Sequence, residues 1–198
     1  MIVALDNSFL TLLLNSEAAP RPNPKTGKSA SHCRERILGL IDELSRGNGR
    51  ILIPAPCLAE AFARSEAAEA AYLEELQSYS AIEIAEFNGR AAFELGRVIR
   101  GAKAAGDKRS GQDGAWQNIK MDRMIVGIAV AHGVSVFYSD DDRQANFARM
   151  AGLNVIHSWD LPLPDDKAQH SMSDGNEDQW PEHAKAPGPQ SPKKPHAN

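Results

Sequence analysis

Short runs of β-branched and apolar residues alternate with longer segments of helical periodicity along most of this 198-residue chain. The strands are predicted at Ile2–Leu5, Arg50–Ile53, Ile82–Ile84, Val134–Tyr138 and Asn154–Ile156. The helices are predicted at residues 8–14, 31–45, 119–132 and about 145–151, with two further helical stretches that begin at Pro56 and Gly89. Such alternation is typical of a parallel sheet with helices on both faces. The sequence therefore predicts an α/β/α sandwich with a central parallel sheet.

The composition changes near residue 161, and this change predicts a domain boundary. From Leu161 onward the chain is rich in Pro, Asp, Gln, Ser, His and Lys, and after Leu163 its only large apolar residues are Met172 and Trp180. A segment of this kind buries too little apolar surface to offset the entropy that folding removes. We therefore predict one α/β domain over residues 1–160 and a disordered tail over residues 161–198.

The apolar runs are also too short for a membrane protein. None approaches the roughly 20 residues that span a bilayer, and the N-terminus lacks the basic and then apolar pattern of a secretory signal. We expect a cytoplasmic protein that has no membrane partner.

The formal net charge is −4, which argues against a basic field around the whole molecule. Positive charge is nevertheless concentrated in two segments. Between Arg21 and Arg36 there are five basic residues and one acid, and between Arg97 and Arg123 there are seven basic residues and three acids. A polyanion would therefore be bound locally, although ordinary solvated surface charge explains the same pattern equally well.

Acidic residues stand where four apolar runs begin or end. Asp6 closes the first strand and Glu60 follows the second. Asp122 opens an apolar helical run, and Asp140, Asp141 and Asp142 follow the fourth strand. The ligand crevice of an open α/β sheet lies beyond the carboxyl ends of its strands, so these carboxylates can converge. Clustered carboxylates are costly to desolvate unless they share a cation, and oxygen ligands suit Mg²⁺.

Each acid also has a separate structural explanation. Asp6 is placed to cap the following helix, and the start of a helix would stabilise Asp122. Glu60 is compatible with a surface position on an Ala-rich helix, and the three adjacent acids are compatible with one cap and two loop charges. Their joint occurrence in this order favours a shared site, but the triple Asp leaves the fourth acid open between Asp140 and Asp141.

The stretch from Pro22 to Ser29 nearly reproduces a P-loop, with Gly27-Lys28-Ser29 at its end. A P-loop binds phosphate through successive backbone amides directly after a strand. Pro22 and Pro24 have no amide hydrogen, and the residues before them are helical in pattern. Nucleotide hydrolysis is therefore disfavoured.

Four short motifs together resemble the PIN domain, especially the VapC-type toxin ribonucleases. They are Ile2–Leu10 with Asp6, Pro56–Glu60, Asp122–Ala129 and Tyr138–Asp142. The resemblance covers about residues 1–157. It implies a PIN-like parallel sheet between helices and a nuclease that depends on Mg²⁺ or Mn²⁺. Asp6, Glu60 and Asp122 match the first three acids of the family, and Ser139 with Asp141 matches its Ser-any-Asp ending, with Asp140 as a possible substitute.

The resulting hypothesis is a metal-dependent endoribonuclease, a toxin of a type II toxin–antitoxin system. Asp6 and Asp122 are the expected direct ligands, and Glu60 and Asp141 are expected to bind through water or to orient it. Asn7 and Ser139 would hydrogen-bond to the ligands. The expected contacts to the RNA backbone are Lys25, Lys28, Lys108 and Arg109.

Two other classes of protein stay open. The domain is also compatible with a non-catalytic PIN-like module that binds RNA or protein, and with a structure-specific DNA nuclease. If the protein is a toxin, the resemblance implies a cognate antitoxin that occupies the acidic cleft and a homodimeric state.

Overall fold

A computed structural model of the protein describes residues 1–65, 67–104, 106 and 116–164. Its centre is one five-stranded sheet with the spatial order β3-β2-β1-β4-β5. The strands are β1 (Ile2–Leu5), β2 (Arg50–Pro54), β3 (Ile82–Ala85), β4 (Val136–Tyr138) and β5 (Asn154–Ile156). All four neighbouring pairs are parallel. The predicted central parallel sheet is therefore confirmed.

Helices flank this sheet and connect its strands. They are α1 (Asn7–Leu14), α2 (Cys33–Arg46), α3 (Ala55–Phe62), α4 (Glu69–Ser78), α5 (Gly89–Ala104), α6 (Trp116–Ala131) and α7 (Asp142–Met150). A 3₁₀ turn at Ser158–Asp160 follows β5. No helix in the described part of the chain combines the length and apolar character that crossing a membrane requires.

The core lies between the sheet and these helices. Val3, Ala4 and Leu5 of β1 are completely buried, as expected of a central strand that is covered on both faces. Helix α2 contributes an apolar stripe, which includes Ile37 and Leu40, to the same buried cluster.

Helix α6 begins earlier than the sequence predicted, and this changes the interpretation of Asp122. The helix starts at Trp116 rather than near Ile119, so Asp122 lies in its second turn. Stabilisation by a helix N-terminus falls off within the first turn. The interpretation of Asp122 as a helix-start residue is therefore wrong.

Close packing against α5 fixes the position of α6. A Cβ atom on Gly127 would lie 2.9 Å from Leu95 Cβ and 3.3 Å from the Ala91 carbonyl oxygen. Glycine is therefore required at the crossing point, because any side chain would push the helices apart.

The folded core extends to the residue at which the composition changes. Leu161 is buried, and the Arg36 guanidinium donates a hydrogen bond to its carbonyl oxygen. The predicted disordered tail lies outside the described residues from position 165 onward. Most of the Gly-rich insertion that contains Lys108 and Arg109 also lies outside them.

Candidate active site

The strand order of the sheet reverses at β1: β2 and β3 lie on one side of it, and β4 and β5 lie on the other. Strands β1 and β4 are neighbours in the sheet although β2 and β3 lie between them in sequence. In open α/β sheets, ligands bind in the crevice that such a reversal creates at the carboxyl ends of the strands. Asp6 follows β1 at this crevice, and Ser139, Asp140 and Asp141 follow β4.

A cavity of about 330 Å³ is lined by five of the six acids that the sequence singled out, all except Asp142. We call it the acidic cleft. Its polar and charged lining consists of Asp6, Asn7, Ser8, Thr11, Arg21, Glu60, Arg64, Asp122, Asp140, Asp141, Arg143 and Gln144. Five carboxylates and three guanidinium groups thus face one space.

Asp6 is almost completely buried and uses its two oxygens differently. Oδ1 accepts hydrogen bonds from the backbone amides of Ser8 and Phe9, at 2.9 and 3.1 Å, and so caps α1. It also accepts a hydrogen bond from Ser8 Oγ. Oδ2 accepts a hydrogen bond from Ser139 Oγ. Asp6 therefore does cap a helix, and Oδ2 keeps a lone pair for a further partner.

Burial raises the pKa of Asp6 to about 7, even though the hydrogen bonds from Ser139, Ser8 and Phe9 stabilise its charged form. A bound cation would oppose this effect, because positive charge favours the carboxylate over the acid.

Asp141 also divides its oxygens between a cap and the acidic cleft. Oδ1 accepts hydrogen bonds from the backbone amides of Arg143 and Gln144, and so caps α7. Oδ2 pairs with Arg21 Nη2 at 3.0 Å and lies 3.7 Å from Arg143 Nη2. Burial alone would raise the pKa of Asp141, but the Gln144 amide and the Arg21 and Arg143 charges outweigh burial and lower it.

Asp140 is held by the turn that follows β5. Its Oδ1 accepts a hydrogen bond from the Ser158 amide at 2.7 Å, and its Oδ2 accepts one from Ser158 Oγ at 2.6 Å. Burial raises the pKa of Asp140, while the hydrogen bonds from Ser158 oppose that rise. Both oxygens of Asp140 thus accept hydrogen bonds from Ser158, whereas the partners of Asp141 Oδ2 are the side chains of Arg21 and Arg143.

Glu60 and Asp122 complete the acidic cleft from α3 and α6. Burial, together with the negative charges of Asp141 and Glu60, raises the pKa of Asp122 to about 6. Burial also raises the pKa of Glu60. The positive charge of Arg64 opposes this rise, and the negative charge of Asp141 adds to it. The pKa values of Glu60 and Asp122 are thus both raised in part by the negative charge of Asp141.

Ser139 and Asn7 both lie beside the acids, just after the ends of β4 and β1. Besides donating to Asp6, Ser139 Oγ accepts a hydrogen bond from the Asp141 amide at 3.1 Å. The Asn7 side-chain oxygen is buried, and no described group donates to it. A buried amide oxygen without a donor is a suitable ligand for a hard cation.

The donor set around the acidic cleft fits Mg²⁺ or Mn²⁺, because it consists of carboxylate, amide and hydroxyl oxygens. Asp6 Oδ2, Asp122, Glu60 and Asp141 Oδ2 are the groups that could bind such an ion. The side chains do not form a closed cage: within the described ranges, no group of three or more His, Cys, Asp or Glu residues is arranged to hold a metal ion.

The two lysines predicted to contact RNA lie outside the lining of the acidic cleft. Lys25 and Lys28 are exposed in a turn that is closed by a bridge between Pro22 and Ser29. The Asn23 amide donates to the Lys28 carbonyl oxygen at 2.8 Å within this turn. The P-loop-like stretch is thus a hairpin turn that follows no strand of the sheet. Lys108 and Arg109 lie outside the described residues.

Sequence reasoning missed four residues at the acidic cleft. Arg21, Arg64 and Arg143 bring positive charge into it, and Ser8 joins its two sides, because Ser8 Oγ donates to Asp6 and accepts from the Asp140 amide at 2.8 Å. The Asp-Asn-Ser order after a strand was an available signal for Ser8, since Ser and Asp favour helix caps. For Arg21 the signal was its position between two prolines.

Comparisons with known proteins identify the fold. The sequence matches no protein-family model and no curated protein. The structure is similar to that of VapBC2 from Rickettsia felis bound to a DNA fragment from their promoter. That match has 17% identity and a TM-score of 0.51, and it covers 79% of this chain and 98% of that one.

Two further solved structures give the same result. DNA-bound VapBC from Salmonella typhimurium matches with 18% identity and a TM-score of 0.52, over 80% of this chain and 99% of that one. FitAB bound to an IR36 DNA fragment matches with 16% identity and a TM-score of 0.51, over 80% of this chain and 96% of that one. At these identities the likeness concerns the fold alone. The chain shares its fold with a chain in VapBC and FitAB complexes.

Proposed function

We propose that the protein is an endoribonuclease that uses Mg²⁺ or Mn²⁺ to hydrolyse RNA phosphodiester bonds, and that it is the toxin of a type II toxin–antitoxin system. One observation carries the proposal. Asp6, Glu60, Asp122 and Asp141, which lie far apart in sequence, line one cleft at the strand-order reversal of the sheet. The PIN-like fold supports the same chemistry.

Each acid has a distinct role in this proposal. Asp6 and Asp122 are the direct ligands, and Glu60 and Asp141 bind through water or orient the attacking water. Ser139 holds Asp6 Oδ2 by a hydrogen bond, and the Asn7 side chain would serve as a second hydrogen-bonding group once the cation is bound. A bound divalent cation would supply an activated water and neutralise charge on the attacked phosphate.

RNA would approach from the side of the hairpin turn. Lys25 and Lys28 are exposed there, next to the segment that carries Arg21 into the acidic cleft. Flexible lysine side chains bind phosphates as point charges, without reading the base sequence. Lys108 and Arg109 are proposed as further phosphate contacts.

The proposed partners are a cognate antitoxin and a second copy of the chain. The antitoxin proposal is supported by solved structures with this fold, among them VapBC and FitAB assemblies. A binding partner that neutralises the toxin would cover the acidic cleft with positive charge. Size-exclusion chromatography with light scattering tests the homodimer, and co-purification tests the antitoxin.

A second candidate function is a non-catalytic module that binds RNA or protein. It is favoured by the lack of a ready-made cluster of metal ligands among the described residues and by the ion pair that Arg21 makes with Asp141. A PIN-like module of that kind would bind Mn²⁺ no more tightly than ordinary surface carboxylates do.

Titration calorimetry with Mn²⁺ and a cleavage assay separate these functions. We expect one Mn²⁺-dependent activity on single-stranded RNA that EDTA abolishes, and little cleavage of flap DNA. Absence of both Mn²⁺ binding and RNA cleavage would favour the binding module. Preferential cleavage of flap DNA would instead identify a structure-specific DNA nuclease.

A further inference from the structure

Arg21 directly precedes the hairpin turn and lines the acidic cleft, whereas Lys25 and Lys28 of that turn do not. It stands between Pro20 and Pro22. Proline fixes its own φ and restricts the residue before it to extended conformations, so this tripeptide is stiff. Ser29 Oγ donates to the Pro20 carbonyl oxygen at 3.2 Å, and a bridge joins Pro22 to Ser29. The backbone on both sides of Arg21 is therefore anchored.

The anchored arginine contacts one particular oxygen. Asp141 Oδ1 is committed to the cap of α7, so Oδ2 is the atom that would contact a cation in the acidic cleft or the water through which that cation is bound. Arg21 Nη2 donates to this same Oδ2. A divalent cation and the Arg21 guanidinium therefore compete for Asp141 Oδ2.

The guanidinium is suited to a second partner as well. The Arg21 side chain is 55% exposed, so a ligand that enters from solvent can reach it. Guanidinium groups bind phosphate oxygens in a planar, bidentate geometry. When a cation takes Asp141 Oδ2, Arg21 loses its carboxylate partner and is left next to the place where a phosphate would bind.

We propose that Arg21 is a positioning residue that couples cation binding to the binding of an RNA phosphate. This inference rests on the proposed function. In the protein alone Arg21 neutralises Asp141, and in the complex with cation and RNA it pairs with a phosphate near the scissile bond. A bound cation frees Arg21 to pair with a phosphate, and a bound phosphate draws Arg21 away from Asp141 Oδ2. Each ligand therefore raises the affinity for the other by the same factor. Arg21 thereby discourages cation binding in the absence of substrate.

Two measurements on Arg21→Gln in the full chain test this inference, and they move in opposite directions. Calorimetry without RNA should show Mn²⁺ binding about threefold tighter or more than in the wild type, because a competing cation is gone. At saturating Mn²⁺ the KM for single-stranded RNA should rise roughly tenfold or more, because a charge-assisted hydrogen bond to phosphate is lost. Arg21→Lys should fall between the wild type and Arg21→Gln in both measurements.

Arg46→Gln is the matched control. Arg46 also forms an exposed ion pair, with Asp42 at 2.9 Å on α2, and it does not line the acidic cleft. It should change neither the Mn²⁺ affinity nor KM. The melting temperatures of all variants establish that they are folded.

The outcomes separate this inference from the proposed function. If the wild type binds Mn²⁺ and cleaves RNA but Arg21→Gln leaves both constants within twofold, the role of Arg21 is refuted and the nuclease stands. Weaker Mn²⁺ binding by folded Arg21→Gln would also refute it, since that result indicates a structural role. If no variant binds Mn²⁺, the proposed function and this inference both fail.

Discussion

Ser139 and Asp6 are joined by a hydrogen bond from the Ser139 hydroxyl to Asp6 Oδ2, which links the ends of β4 and β1. The two residues are 133 positions apart in sequence. This contact orients the most buried acid of the cleft, and it spans the crevice at which the strand order reverses.

Replacing Ser139 by Ala should therefore loosen Asp6. The hydrogen bond lowers the pKa of Asp6, so its loss should raise that pKa further above its usual range and weaken Mn²⁺ binding at neutral pH. The variant Ser139→Thr keeps the hydroxyl and is the control. Calorimetric Mn²⁺ titration at pH 7 should show weaker binding for Ser139→Ala only, and equal affinities for both variants would contradict the assigned role.

The acids of the cleft should make the stability of the metal-free protein depend on pH. Burial raises the pKa of Asp6 to about 7 and that of Asp122 to about 6, from an ordinary value of 3.8. Between about pH 4 and pH 7 the folded state therefore binds more protons than the unfolded state, and the free energy of unfolding falls as pH rises. For Asp6 the total change is on the order of a few kcal/mol.

Asp6→Asn should flatten this dependence while keeping the cap of α1, because Asn is also a good N-cap residue. Urea denaturation in EDTA across the same pH range measures it. Asp42→Asn, on the exposed face of α2, is the control. If the free energy of unfolding of Asp6→Asn depends on pH as steeply as that of the wild type, Asp6 does not titrate in this range.

Gly127→Ala should destabilise the protein, because its Cβ would lie 2.9 Å from Leu95 Cβ at the crossing of α5 and α6. Overpacking of this kind costs about 1–3 kcal/mol. The control is Gly101→Ala in α5, where an added Cβ meets no described atom within 4 Å. That substitution should stabilise the helix by roughly 0.5–1 kcal/mol. Chemical denaturation of both variants measures the difference, and a neutral Gly127→Ala would refute the close approach.

The hairpin lysines should contribute to RNA affinity through charge alone. Replacing Lys25 and Lys28 by Ala should weaken RNA binding and reduce the slope of log K against log salt by about 1–2, with Mn²⁺ affinity unchanged. The charge-matched control replaces Arg46 and Arg50 by Ala. Arg50 begins β2 and so lies at the amino ends of the strands, whereas the acidic cleft lies at their carboxyl ends. Equal salt slopes in both double variants would reduce Lys25 and Lys28 to ordinary surface charge.

Local sequence patterns were sufficient to predict the strands and the convergence of the acids. Buried strands have a distinctive β-branched composition, and residues that follow parallel strands necessarily meet at one edge of the sheet. Asp6 illustrates the limit of this reasoning. Its sequence position fitted a helix cap and a site residue equally well, and the structure shows a cap through Oδ1 with Oδ2 at the cleft.

Long-range contacts account for what the sequence did not predict. Asp140 and Asp141 are adjacent and chemically identical, and only their distant partners distinguish them. Ser158 takes both oxygens of Asp140, whereas Arg21, which is 120 positions away, takes Asp141 Oδ2. The extra turn of α6 before Asp122 was missed because its Gly- and Gln-rich flank carries no apolar periodicity.

The central claim is that Asp6, Glu60, Asp122 and Asp141 share one cation. Asp122→Asn tests it, because the substitution removes a charge and keeps the shape of the side chain. The control is Asp142→Asn. Asp142 is the exposed acid that follows Asp141 at the start of α7.

The measurement is paired: cleavage of single-stranded RNA, and melting temperature with and without Mn²⁺. We predict that Asp122→Asn cleaves RNA orders of magnitude more slowly, keeps or gains stability without metal because repulsion is relieved, and loses most of its stabilisation by Mn²⁺. Asp142→Asn should behave as the wild type. Two results would contradict the shared cation site: cleavage of RNA by Asp122→Asn at the wild-type rate, or equal stabilisation of Asp122→Asn and the wild type by Mn²⁺.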